Sequence, residues 1–215
     1  MTFYRSRIFP ALAGLLWFAF LTLDLTGRGN STWVKFAAIC LCCATALTGT
    51  RTADGKLVAA ALCLTVGADW FLLVRNGAAG LSLLLGLGLF IPVQFLYAVR
   101  LFRIRGNRMC RWGFSLRLAA LLLCGLCLFR SLPLAAALSL FYFANLLLNT
   151  AEAFALGNVS LFALGLLLFV FCDLCVGARN LGIFVSFTWW GSWLFYLPSQ
   201  ALIVLSQDAP PEILL

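Results

Sequence analysis

The sequence predicts an all-α protein, a single bundle of about eight transmembrane helices with both termini in the cytoplasm. Three observations carry this reading. First, 64% of the 215 residues are hydrophobic and only 10% are charged, against roughly 45–50% and about 25% in soluble domains. Second, apolar runs close to the length that crosses a bilayer, about 20 residues, recur along the whole chain. They leave no stretch long enough for a soluble domain, so 1–215 reads as one integral membrane domain. Third, the basic residues sit in the short connections between the runs, and they are unevenly divided between the two sides.

The first run is Ile8–Leu25, preceded by Arg5 and Arg7. A secretory signal begins in the same way. No small-residue cleavage site follows, however, and the chain continues through Asp24, Leu25 and Thr26, so a retained helix is expected. Trp33–Leu47 is the shortest run. Leu57–Val74, Ala78–Val99, Trp112–Phe129, Leu132–Leu148, Val159–Ala178 and Ile183–Leu205 complete the set, each bounded by charge, Gly, Asn or Pro. Backbone groups in hydrocarbon must pair within their own segment, so runs of this length form helices. On one side of these eight lie Arg5, Arg7, Arg51, Lys56, Arg100, Arg103, Arg105, Arg108 and Arg111, nine in all, against Arg28, Arg75, Arg130 and Arg179, four, on the other. The positive-inside rule puts the nine in the cytoplasm and both termini with them. For a bacterial chain the membrane is then the plasma (cytoplasmic) membrane.

The formal net charge of +8 does not make this a nucleic-acid binder, because no continuous basic face exists to track a phosphate backbone. The arginines instead meet the anionic headgroups of membrane lipids. Nine Cys and no His exclude histidine-ligated zinc and histidine acid–base chemistry. Cys124-x2-Cys127 and Cys172-x2-Cys175 have metal-like spacing but lie inside apolar runs, where free Cys behaves as a small hydrophobe. No metal site is read from them. Asn30-Ser31-Thr32 and Asn158-Val159-Ser160 match a glycosylation triplet, a pattern too short to carry weight.

Polar groups at membrane depth are costly and therefore informative. Asp69 stands in VGADWFLLV and Asp173 in LFVFCDLCVG. Lys35 lies near the start of the second helix, in reach of pairing with either acid or of snorkelling to the interface. Asp24 reads as a residue that caps its helix or leaves the membrane. Gln94, Tyr97, Asn145, Asn149, Glu152, Tyr196 and Gln200 form a second set nearer the cytoplasmic side. Asn145 and Asn149, one turn apart, suit hydrogen bonds between helices.

In order along the chain stand Lys35, Asp69, Gly86-x3-Phe90-x3-Gln94-x2-Tyr97, Gly165-x3-Phe169-x3-Asp173 with Asn180, and Phe195-Tyr196 with Gln200 and Ser206. This order resembles the YhhN-type lysoplasmalogenase family of eight-helix membrane hydrolases. That family's marks are a Lys-Pro, a Gly-Asp, a G-x3-F-x3-H-x2-Y, a Ser-Asp, and a Tyr-Tyr pair followed by Gln. Here Phe36 replaces the proline, Ala68 the glycine before Asp69, Gln94 the histidine, Cys172 the serine and Phe195 one tyrosine. The resemblance implies hydrolysis of the vinyl ether of a lysoplasmalogen to an aldehyde and a glycerophospho-alcohol, without metal or cofactor. That chemistry needs a protonated carboxylic acid and a carboxylate, and burial together with a second acid nearby is how proteins separate such a pair. Asp69 and Asp173 are the acids well inside the third and seventh helices, and they are the expected catalytic pair. Lys35, Gln94, Tyr97, Tyr196 and Gln200 are expected to bind substrate. Two inward carboxylates also suit a small transporter, and the lost histidine suits a catalytically inactive homologue.

Overall fold

The computed structural model describes residues 7–49, 52–75, 80–108, 110–156 and 159–207. Arg5, Arg51, Asn158 and the carboxyl end lie outside this set. Among the described residues all regular structure is helical: α1 (Phe9–Thr26), α2 (Thr32–Leu47), α3 (Ala53–Asp69), a π-helical turn (Trp70–Val74), α4 (Gly80–Ile104), α5 (Arg111–Phe129), α6 (Leu134–Phe154), α7 (Leu161–Asn180) and α8 (Val185–Leu205).

Six of the eight helices, counting α3 with its π turn, have the length and apolarity to cross a bilayer. The other two fall short for different reasons. α2 has 16 residues, about 24 Å at 1.5 Å per residue. α8 has the length, 21 residues, but buries Thr188, Ser192, Ser199 and Gln200. Its polar groups face protein, and they cost it apolarity without making it a surface helix.

Three expected boundaries move by about a helical turn or more. α3 starts at Ala53, so Lys56, read as a loop residue, lies in the helix. α4 runs on to Ile104, so Arg100, read as a loop residue, lies in the helix and is 3% exposed. α6 runs on to Phe154, which brings Asn149 and Glu152 into the helix, both buried. Apolar residues are interleaved with polar ones in the α4 and α6 extensions, and hydropathy alone ends a helix where the polar residues begin.

The described residues divide into two compact units, one of residues up to 59 together with those from 161 on, and one of residues 60–160. In the first unit α8 packs against α1, α2 and α7. Pro198 in α8 leaves the Leu194 carbonyl without its usual helical donor, and Trp17 Nε1 of α1 donates to that carbonyl at 3.3 Å. Gln207 Nε2 donates to the Ala46 and Gly55 carbonyls at 2.9 and 2.6 Å, tying the end of α8 to the end of α2 and the start of α3. α1 ends on Gly27 at φ 63°, a left-handed cap that glycine adopts without a Cβ clash.

α7 and α8 lie close because Gly165 lets them. A Cβ built there sits 2.8 Å from Ile203 Cγ1 and 3.0 Å from the Ser199 carbonyl oxygen. The backbone oxygen cannot move aside. Gly165→Ala is expected to cost about 1–3 kcal/mol as an overpacking change, read as a lower thermal midpoint of the purified protein. An unchanged midpoint would contradict this account of the α7–α8 contact.

In the second unit α6 packs against α4 and α5, and α4 packs against the π turn. A Cβ at Gly86 of α4 would collide with the Leu72 side chain of that turn. The Arg75 amide donates to the Trp70 carbonyl at 2.9 Å, the five-residue spacing that defines a π turn. Most of α5 is exposed, including Leu121, Leu122, Leu123 and Leu126. Bilayer lipid covers such a surface without cost.

Candidate functional site

The expected site residues fall into two groups, one in each unit.

In the first unit, Gly165, Phe169 and Asp173 follow one another at four-residue intervals and share one face of α7. Gly165 meets α8, Phe169 packs on Tyr196 of α8 with ring centroids 5.4 Å apart, and Asp173, half-buried, lies one turn further along. Tyr196 in turn packs edge-on against Trp193 at 5.0 Å. Lys35 of α2 is enclosed beside them. Its Nζ lies 5.3 Å from the Trp193 ring and 5.6 Å from the Phe20 ring, and it forms an ion pair with Asp24 of α1 at 2.5 Å, with the two side chains 7% and 6% exposed. Ser31 Oγ donates to the other Asp24 oxygen at 2.5 Å.

This corrects two expectations. Lys35 pairs with Asp24, not with one of the two candidate catalytic acids. Asp24 does not cap α1; it pairs with Lys35 and Ser31 and closes the α1–α2 hairpin. A carboxylate and an ammonium 11 residues apart across one tight hairpin were the sequence signal for this pair.

Gln200, one turn beyond Tyr196, is fully buried. Among the described residues neither its Nε2 nor its Oε1 has a hydrogen-bond partner, and the neighbouring Ser199 Oγ also lacks one. Native proteins pair nearly all buried polar groups, and the exceptions concentrate where something outside the chain supplies the partner.

In the second unit, Asp69 is 5% exposed at the last residue of α3, where the helix widens into the π turn. Such turns recur at functional sites, where the extra residue re-aims the side chains beside it. Gly86, Phe90, Gln94 and Tyr97 form one face of α4. Gly86 meets the π turn, Phe90 packs on Tyr142 of α6 at 5.4 Å, and Gln94 and Tyr97 are each 1% exposed.

Gln94 belongs to a polar chain that crosses three helices. Asn149 Nδ2 of α6 donates to Gln94 Oε1 and to the Gln94 carbonyl, each at 2.9 Å. Arg117 of α5 donates to Asn149 Oδ1 at 2.5 Å and pairs with Glu152. Asn149 is therefore interhelical glue, as expected, whereas Asn145 Nδ2 donates to the Phe141 carbonyl of its own helix. Sequence reading missed Arg117, the arginine farthest inside an apolar run. Its depth was the available signal.

Cys124 and Cys127 lie inside α5, and Cys172 and Cys175 inside α7.

Long apolar helices whose buried faces carry Asp, Lys, Gln, Asn and Arg define a multi-pass helical membrane protein. The YhhN family matches this chain over residues 30–207, and the chain belongs to that family. The matched region contains every candidate site residue from Lys35 to Gln200. No curated protein and no solved structure matches.

Proposed function

We propose that this protein is a membrane-embedded hydrolase that cleaves the vinyl ether of a lysoplasmalogen to an aldehyde and a glycerophospho-alcohol, with Asp69 and Asp173 carrying the acid–base chemistry. The observation that carries the reading is Asp69, a carboxyl 5% exposed at the junction of an α-helix and a π turn within an apolar span, in a chain of the YhhN family.

The reaction divides into steps that two carboxyl groups can serve. A carboxylic acid protonates the alkene carbon remote from the ether oxygen, leaving an oxocarbenium ion that a carboxylate stabilises. Water adds to that cation and loses a proton to the carboxylate. The hemiacetal then collapses, its hydroxyl proton leaving as the glycerol oxygen takes one up. Protons balance over the cycle, and no redox step is involved. Lys35, Tyr196, Gln200, Gln94 and Tyr97 are the groups proposed to hold the lipid.

One observation favours a second reading, an inactive homologue: Gln94 stands where the resemblance expects a histidine, and an amide transfers no proton at neutral pH. Aldehyde release from a lysoplasmenyl lipid by the purified protein tests the proposal. If wild type releases none and Gln94→His does, the inactive reading replaces it.

A further inference from the structure

The polar chain on α4, α5 and α6 has a direction. A guanidinium has donors only and no acceptor, so the Asn149 atom that Arg117 meets must be Oδ1. The opposite edge of that amide is then Nδ2, a donor, and the Gln94 atom it meets must be Oε1. The free end of the Gln94 amide is thereby fixed as Nε2. It is buried and has no hydrogen-bond partner among the described residues, on a side chain 1% exposed. Glu152 holds the far end of the chain by pairing with Arg117.

We propose that Gln94 Nε2 is a hydrogen-bond donor to an oxygen of the bound lysophospholipid, and that Asn149 and Arg117 are positioning residues that keep the donor edge of the amide toward it. The identity of the lipid rests on the hydrolase reading; the direction of the amide does not. The arrangement also gives the glutamine a physical role in the histidine's place. With Asn149 Nδ2 donating to one nitrogen of a neutral imidazole, the other nitrogen carries the proton and presents an N–H, so glutamine and histidine offer the lipid the same donor.

The test measures the dissociation constant of a 1-O-alkyl lysophospholipid, a saturated ether that vinyl-ether chemistry does not cleave, on the full chain in nanodiscs. Thermal midpoints of the same samples are recorded alongside. Gln94→Leu removes the donor, while Asn149 keeps its bond to the residue-94 carbonyl. Asn149→Asp keeps the shape and the bond from Arg117, but a carboxylate cannot donate. Gln94 must then turn its amide to give Nε2 to the new carboxylate, which leaves Oε1 where the donor was. Both variants are expected to bind about tenfold more weakly, the usual worth of one hydrogen bond, with midpoints near wild type. Gln94→His is expected to bind like wild type.

Wild-type binding in Gln94→Leu would overturn the donor, and wild-type binding in Asn149→Asp would overturn the positioning role. Loss of binding in Gln94→His would contradict the shared-donor account. Failure of the hydrolase reading looks different: the saturated ether binds, the variants weaken it as stated, and the vinyl ether is still not cleaved. A wild-type protein that does not bind the saturated ether overturns both.

Discussion

Replacing Asp69 or Asp173 by Asn is expected to lower vinyl-ether cleavage about 10²–10⁴-fold, the range that general acid–base catalysis contributes, while the variant proteins still insert and fold. Asn keeps the size and most of the hydrogen-bonding geometry of Asp. It has no carboxylic proton to give to carbon and no negative charge to set against an oxocarbenium ion. The loss should appear in kcat, because neither substitution removes a group assigned to holding the lipid, and interactions made only in the transition state move kcat and kcat/KM together. A packing defect behaves differently, lowering the thermal midpoint and the active fraction without changing turnover per folded molecule. If either Asn variant turned over like wild type, that aspartate would have no essential catalytic role and a structural contact would become its better assignment.

The second large effect concerns the ion pair that closes the α1–α2 hairpin. Asp24→Leu leaves the Lys35 ammonium in a site where its side chain is 7% exposed, faced by the Phe20 and Trp193 rings. Removing one partner of a buried pair costs about 3–5 kcal/mol, because the remaining charge is uncompensated. The ring faces return about 0.5–2 kcal/mol of that. A substantial fall in thermal midpoint is therefore expected for Asp24→Leu. Asp24→Leu combined with Lys35→Met, which removes both charges and keeps the length of the side chain, should recover most of it. Failure of the double variant to recover would show that the pair is not what holds α1, α2 and α8 together. Activity separates the remaining roles of Lys35. If it also binds the lipid phosphate, the stable double variant has a raised KM, and if it only supports Trp193 and Tyr196 through packing, KM stays near wild type.

How much of this was legible in the sequence depends on the range of the interaction. Helix identity follows from apolarity, since a continuous apolar run of this length pairs its own backbone groups in hydrocarbon as a helix, and among the described residues the eight runs appear as eight helices. Helix ends were less legible. Arg100 and Glu152 lie in the last turns of α4 and α6, and a charge in a sequence does not say whether it ends a helix or finds a partner within it. The π turn after Asp69 was invisible, because Trp70–Val74 is as apolar as the helix it extends, and the Leu72 side chain that packs against Gly86 meets a residue of another helix.

The marks Gly165, Phe169 and Asp173 could be placed on one face of α7 from spacing alone. What that face touches could not, because Tyr196 and Ile203 belong to a different helix. Asp24 and Arg117 were misjudged for the same reason. The Asp24–Lys35 contact spans 11 residues and the Arg117–Asn149 contact spans 32. Each is a pairing of single residues that no periodic pattern announces.

The most direct test of the central claim, acid catalysis of vinyl-ether cleavage, uses lysoplasmenyl lipid and purified protein in D₂O, with the aldehyde trapped as it forms. Protonation at carbon by an exchangeable carboxyl predicts an aldehyde that carries one deuterium on the carbon next to its carbonyl, at a rate that falls about 10²–10⁴-fold in Asp69→Asn and Asp173→Asn. No aldehyde from a folded, lipid-binding protein, or aldehyde without that deuterium, would contradict the account.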